Sequence, residues 1–397
     1  MVATLTRAAR ARVPVEARRP ARRFLPCVPT LGPRLLAARA RPTPAPAPFP
    51  LAGADVRRYY FARNGVWVGA RLLGLSGQEV LVPSYHHGVE VEALEAAGAV
   101  PRFVRVDGRM RLDLGHLERS VTPRTRALYV IHYLGFPQPM QDVTAIARRH
   151  GLAVFEDCAL ALLSRDGDVP LGSRGDLGVF CLYKTLPVPN GGLLVLNRPL
   201  DAPPPARAAP AGSTLSHAAG SLLAHLALRL GRGGEALREG VRRAGRVIRG
   251  ATGLRALSTG TMHFDPAAAD VGISGMTERI LERLDYARIV ERRRRNWSLL
   301  FERLRRIAPP IQTELPAGAC PLFYPLLSRD KDAMARALAA RGIETVDFWR
   351  QGHPACPVDA FPETFALRQR VLELPLHQDL DDEDMAYLAD AVEGAMS

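Results

Sequence analysis

Between residues 65 and 197 the chain alternates helix-type segments with short, continuously apolar runs, and this alternation restricts the fold more than any other feature. The apolar runs are EVLVP (79–83), VPRFVRVD (100–107), RALYVIHYLG (126–135), LAVFED (152–157), LGVFCLY (177–183) and GLLVLN (192–197). Helix candidates lie between the earlier ones: GVWVGARLLGL (65–75), VEVEALEAAGA (89–99) and MQDVTAIARRHG (140–151). Strands that are apolar at successive positions are buried on both faces. They predict an α/β fold in which a mainly parallel sheet lies between layers of helices. Ligands of such sheets collect outside the carboxyl ends of the strands. That rule selects residues 85–87, His132, Asp157 and Lys184, each at or near the end of a strand candidate.

Three domains are expected. Residues 1–53 read as an irregular N-terminal arm. They carry ten arginines and one acid, Glu16, a composition shared with mitochondrial presequences, but prolines at 14, 20, 26, 29 and 33 break any targeting helix. Residues 54–255 form the large domain, including an arginine-rich helical insert at about 199–255 that begins with the break DAPPPARAAPAG. Residues 256–397 form a smaller C-terminal α/β domain. Its expected elements are LFYPLLS (322–328), the helix DKDAMARALAARG, IETVDFW, VLELPLH and the helix DLDDEDMAYLADAVEGAM.

The net charge of +13 is carried by 51 arginines and only two lysines, Lys184 and Lys331. Such a bias follows from a GC-rich coding sequence, so the charge is in part compositional. No zinc-finger spacing or aromatic-basic RNA motif accompanies it, and nucleic acid is not an expected partner. Arg292–Arg295 lie in the helical stretch ERILERLDYARIVERRRRNWSLLFERL, where four successive residues spread around the helix and read as a solvated surface. The five cysteines are scattered, with no CxxC pair, which indicates neither zinc nor a disulfide framework and fits a reducing cytoplasm. No apolar run reaches membrane-spanning length, and LLAHLALRL (222–230) is short and contains His225 and Arg229.

Lys184, in FCLYKTLPVPNGG, is the lysine with a chemical setting; Lys331, beside Asp330 and Asp332, reads as a solvated helix-start residue. Arginine stays protonated at neutral pH, whereas a lysine amine can lose its proton and condense with a carbonyl. Lys184 is thus either an ordinary surface cation or a nucleophile. Asp157, in VFEDCA, is either an N-cap or a buried carboxylate facing a cation. Together they suit pyridoxal phosphate: the aspartate holds the ring nitrogen protonated and the lysine holds the aldehyde as a Schiff base. Asn64-Gly65 opens a helix, either as a plain turn or as a phosphate site. Tyr85, His86 and His87 are either a surface loop or planar groups that cover a ring.

From about residue 58 to 197 the chain resembles the DegT/DnrJ/EryC1/StrS family of PLP-dependent sugar aminotransferases, of fold type I. The likeness rests on EVLVPSYHHG, TPRTRALYVIHYLGFPQPM, HGLAVFEDCA, GSRGDLGVF and KTLPVPNGG, with ELPLHQDLDDEDM as the closing segment. The resemblance implies Lys184 as the Schiff-base lysine, Asp157 as the pyridinium partner, His87 on the ring, and Asn64, Gly65 and Val66 around the phosphate. It also implies a homodimer with shared active sites, and transfer of an amino group from an amino acid to a keto sugar on a nucleotide carrier. Three departures stand out: Leu160 replaces a Gln or His that contacts the phenolic oxygen, Cys181 replaces a phosphate-binding serine, and His87 replaces a bulkier aromatic. Two alternatives follow from them, a different PLP reaction or a non-catalytic binding protein on the same fold.

Overall fold

The computed structural model describes residues 23–37, 46–231, 233–241, 243 and 263–396. Its centre is a seven-stranded sheet. The strands are β1 (Asp55–Tyr59), β2 (Glu79–Pro83), β3 (Val100–Val104), β4 (Thr125–Ile131), β5 (Ala153–Cys158), β6 (Leu177–Cys181) and β7 (Gly192–Leu196), in the order β1-β7-β6-β5-β4-β2-β3. Pairing is parallel from β3 through β6, while β7 and β1 run antiparallel at the edge. The expected strands are present, with ends within a few residues of the apolar runs. Strand β1 was not expected. DVRRY is polar and arginine-bearing, and only its pairing with β7, far along the chain, makes it a strand.

Helices α1 (Ala62–Leu72), α2 (Val89–Ala96) and α3 (Met140–His150) cover the sheet. Alternate residues of each strand serve opposite faces. Ala127, Tyr129 and Ile131 of β4 join Val66, Ala70, Val91 and Leu94 in one core. Leu128 and Val130 join Met140, Val143 and Ile146 in another. The connections from β2 to β6 bring the carboxyl ends of the parallel strands to one edge.

The insert contributes α4 (Ala211–Leu230); the part expected at 244–255 lies outside the described residues. The C-terminal unit pairs β8 (Phe323–Leu327) with β9 (Val371–Pro375), packed with α5 (Tyr286–Leu304), α6 (Lys331–Ala340), α7 (Pro362–Arg370) and α8 (Asp382–Met396). IETVDFW, grouped with the regular elements of this unit, is instead an irregular strip held to β9 at one point, where Val346 and Glu373 exchange backbone hydrogen bonds of 3.0 and 2.9 Å. Where it is described the expected arm is irregular apart from one helical turn, Pro33–Leu36, and it is anchored to this unit. Leu25 is fully buried and pairs with Ile343, and Arg23 forms ion pairs with Glu383 and Asp384.

Candidate active site

A cavity of about 430 Å³ opens at the carboxyl edge of the sheet, and it brings together Lys184, Asp157, His87, Cys181, Leu160 and Val66. Asp157 is the penultimate residue of β5, between two strands, and is 7% exposed. The Tyr129 hydroxyl donates to its Oδ2 at 2.7 Å and the Ala159 N–H to its Oδ1 at 2.8 Å. Burial, and then the Glu90 carboxylate nearby, raise its pKa, while the hydrogen bonds and Lys184 act the other way. Lys184 lies on the turn after β6, where Thr185 and Leu186 donate back to the Leu182 carbonyl at 3.1 and 2.8 Å. Its Nζ stands 5.1 Å from the centre of the Phe348 ring.

His87 follows β2. Its Nδ1 is buried with no hydrogen-bond partner among the described residues. Burial, with Lys184 and Arg63 near, lowers its pKa to about 4, so the ring is neutral at pH 7 and offers a flat face. Tyr85 and His86 do not reach the cavity. Tyr85 packs edge-on against Trp349 at 4.5 Å, and His86 stacks on Phe103 at 5.1 Å while bonding the Pro83 carbonyl. His132 is also elsewhere: it meets Glu156 at 3.0 Å in a buried junction with Cys158, where Glu156 also accepts from the N–H groups of Gly172, Arg174 and Gly175.

The start of α1 faces the cavity through Val66, one of the three residues expected there, together with Ala62 and Arg63. The other two, Asn64 and Gly65, do not line it. The Asn64 amide donates to the Ala268 carbonyl at 2.9 Å. Gly65 faces the sheet, where an added Cβ would lie 3.2 Å from Leu194 Cβ. Its bare backbone serves helix-on-sheet packing. Arg63 and Glu90 are among the cavity residues that the sequence did not single out. Arg63 looked like one arginine among 51. Glu90 looked like an ordinary acid in a first helical turn. In the fold its carboxylate turns back to accept from the N–H groups of His87 (2.8 Å) and Gly88 (3.1 Å) and lines the cavity.

The opposite wall is the strip at residues 346–349, and it corrects two readings. Lys331 is buried at 5% exposure, not solvated; its Nζ bonds the Asp347 carboxylate at 2.7 Å and the Arg368 carbonyl. A compact ammonium within reach of a carboxylate and a carbonyl is stable there, where its neighbours in sequence suggested water. Arg293, in the run read as a solvated surface, has zero exposure. It donates to Pro321 O, Leu322 O, the Gln378 side chain and Thr185 O, at 2.9 to 3.2 Å. Thr185 O also accepts from Gln378 Nε2 at 3.1 Å, so the C-terminal unit grips the turn that carries Lys184.

The donor set suits pyridoxal phosphate. A buried carboxylate faces the cavity from one end, a lysine amine lies within it, a neutral ring with an unpartnered Nδ1 stands on one side, and the helix start with Arg63 supplies an anion site. The sequence model described as the DegT/DnrJ/EryC1/StrS aminotransferase family matches residues 64–202 and 274–393. The chain belongs to that family. Its mainly parallel α/β sheet, with a smaller C-terminal unit, is the family's fold type I.

Among relatives, UDP-N-acetyl-3-dehydro-alpha-D-glucosamine 3-aminotransferase of Acidithiobacillus ferrooxidans is 39% identical over 27% of this chain, and the match spans only 29% of that relative's length. The dTDP-4-dehydro-2,3,6-trideoxy-D-glucose 4-aminotransferase of Saccharopolyspora spinosa is 26% identical over 87% of this chain and 86% of its own. The crystal structure of the sugar aminotransferase CalS13 from Micromonospora echinospora shares the fold with a TM-score of 0.62 at 20% identity, covering 94% of this chain and all of that one.

Proposed function

We propose that this member of the family is a PLP-dependent aminotransferase that moves an amino group from an amino-acid donor to the keto carbon of a nucleotide-linked sugar. The observation that carries this reading is the convergence of Lys184, Asp157 and His87 on one cavity in the family's fold. When bound, pyridoxal phosphate supplies an electrophilic aldehyde and an electron-accepting ring. Asp157, fixed by Tyr129 and Ala159, holds a proton on the ring nitrogen. His87 would lie against the ring face, with its backbone held by Glu90. The N–H groups at the start of α1, Arg63 and Cys181 hold the phosphate, the thiol as a weak donor. Lys184 Nζ carries a proton to and from the reacting carbon. Phe348 and Trp349 keep water from it. In the arrangement we propose, the protein is a cytoplasmic homodimer; in support, the five cysteines carry no disulfide among the described residues.

Leu160 favours a second reading, a different PLP reaction, because an apolar side chain in the cavity donates nothing to the phenolic oxygen. The test begins with absorbance titration of PLP into wild type, Lys184→Ala and Lys184→Arg. The expected result is a visible band in wild type alone, with borohydride fixing the cofactor on the Lys184 peptide. The rate falls about 10²- to 10⁴-fold in both variants. A wild type that takes up no PLP sinks the reading. A screen of amino donors, scored by loss of the band and keto-acid release, separates transamination from the second reading.

A further inference from the structure

Arg368, at the end of α7, is 7% exposed, and its guanidinium bonds both the strip that walls the cavity and the loop that carries His87. Nη1 donates to the Trp349 carbonyl at 2.7 Å. Nη2 donates to the carbonyls of Ser84 and His86, both at 3.2 Å, which lie 284 and 282 residues away along the chain. The first carbonyl belongs to the strip at 346–349. The other two belong to the loop that leaves β2 and carries His87. One planar fork therefore ties the wall supplied by the C-terminal unit to the loop supplied by the sheet.

The surroundings are shaped for this cation. Gly352 leaves the space that the guanidinium fills, since an added Cβ would lie 2.2 Å from Nη2 and 3.2 Å from His86 Nε2. Packing on the same seam is aromatic, with Tyr85 5.6 Å from the Arg368 Cζ and edge-on to Trp349. Lys331 bonds the Arg368 carbonyl and Asp347, so the strip is held near both ends by buried cations. Three carbonyls receive the Arg368 donors, and none of the bonded partners is a carboxylate. Burying a charge with only neutral partners is unfavourable unless its geometry is used. An apolar side chain of similar length could fill the seam, but it would not fix the direction of three carbonyls.

We propose that Arg368 is a positioning residue for the cofactor site, setting the distance between His87 on one side and Phe348 and Trp349 on the other. The inference rests on the reading of this cavity as a PLP site. Its test uses the full-length protein, wild type and Arg368→Met, Arg368→Lys and Gly352→Ala variants, with PLP and L-glutamate as probes. Three quantities are read: the PLP dissociation constant, the rate of band loss with L-glutamate, and tryptophan emission.

Arg368→Met is expected to keep the wild-type far-UV circular dichroism, to weaken PLP binding or slow the glutamate reaction about 10- to 100-fold, and to shift emission to the red as Trp349 meets water. Lys at 368 recovers only part of the loss, because a point charge cannot span three carbonyls. Added guanidinium ion, below denaturing concentration, recovers part in the Met variant through the adjoining cavity of about 310 Å³ that Arg368, His353 and Phe365 line. Gly352→Ala reproduces the loss in wild type and adds nothing on the Met background. Wild-type affinity, rate and emission in Arg368→Met overturn the proposal. Should that variant not fold, unchanged PLP affinity and emission in Gly352→Ala overturn it equally. If wild type binds no PLP, the functional reading fails by itself, and the emission of the Met and Ala variants still decides whether the clasp exists.

Discussion

Glu90 and Asp157 are two carboxylates serving one cavity, and their charges are not independent. The Glu90 charge raises the Asp157 pKa, second only to burial. Replacing Glu90 by Gln removes that charge and lowers the pKa of Asp157. The acid limb of the activity profile, which follows ionisation of Asp157, then moves to lower pH. The same change leaves one of the two N–H groups of His87 and Gly88 without a good acceptor, so PLP binding also weakens, by about 1–3 kcal/mol. A pH–rate profile with a PLP titration checks both; a limb that stays put or moves upward refutes the coupling. At this scale the sequence was readable where a residue type is unusual for its setting. Lys184 is one of two lysines and Asp157 ends an apolar strand. Glu90, Arg63 and Arg293 are common types in common helical contexts, and Lys331, the other lysine, has the acidic neighbours of a solvated helix start; only the tertiary fold separates them from solvated residues.

Helix α1 owes its seat to glycines one turn apart, and the position of its start over the cavity follows from how closely it approaches the sheet. A Cβ at Gly69 would lie 2.7 Å from the Phe155 ring, and 2.9 Å from Leu177. Gly69→Ala is therefore expected to lose about 1–3 kcal/mol by overpacking and to weaken PLP binding as the helix start lifts. Gly220, in α4, has nothing within 4 Å of an added Cβ. Gly220→Ala should instead gain about 0.5–1 kcal/mol in urea denaturation. Helix α5 makes the complementary point. The sequence reads 278–304 as one helical stretch, yet the helix ends at Leu281 and restarts at Tyr286, with Asp285 accepting from Arg288 N–H at 3.0 Å. The periodicity is right on both sides, and a single N-cap divides it. Arg293→Met is expected to cost about 2–4 kcal/mol, since the carbonyls of Pro321 and Leu322 lose their donor and that of Thr185 loses one of two. The loss should exceed that of Arg295→Met, whose guanidinium is largely exposed and, among the described residues, bonds Asp382.

The whole molecule was legible in its parallel sheet because each of those strands is a local apolar run, with helices α2 and α3 following β2 and β4. Strand β1 and the strip at 346–349 were not, because their structure comes from partners far away in sequence. The same long-range burial sets the stability of the protein against pH. Burial lowers His86 to about 3, and His87 and His377 to about 4. It raises Glu373, beside Asp347 and beneath Phe348, to about 8. For the three histidines the unfolded chain binds more protons below its own pKa of about 6.5. Their contribution is complete above that value and is lost as pH falls toward 4. For Glu373 the folded chain keeps a proton that the unfolded chain releases above about 4.5, so its contribution is lost as pH rises toward 8. Between 6.5 and 8 only the glutamate among these groups acts, with a slope of at most about 1.4 kcal/mol per pH unit. Stability from this set should peak near pH 6.5, fall steeply on the acid side and gently on the alkaline side. Glu373→Gln should remove the alkaline decline and steepen the acid limb, because Glu373 partly offsets the histidines between about 4.5 and 6.5. Urea midpoints at pH 5, 6.5 and 8 for both proteins test this, and an alkaline decline that survives in the Gln variant would assign it to some other group.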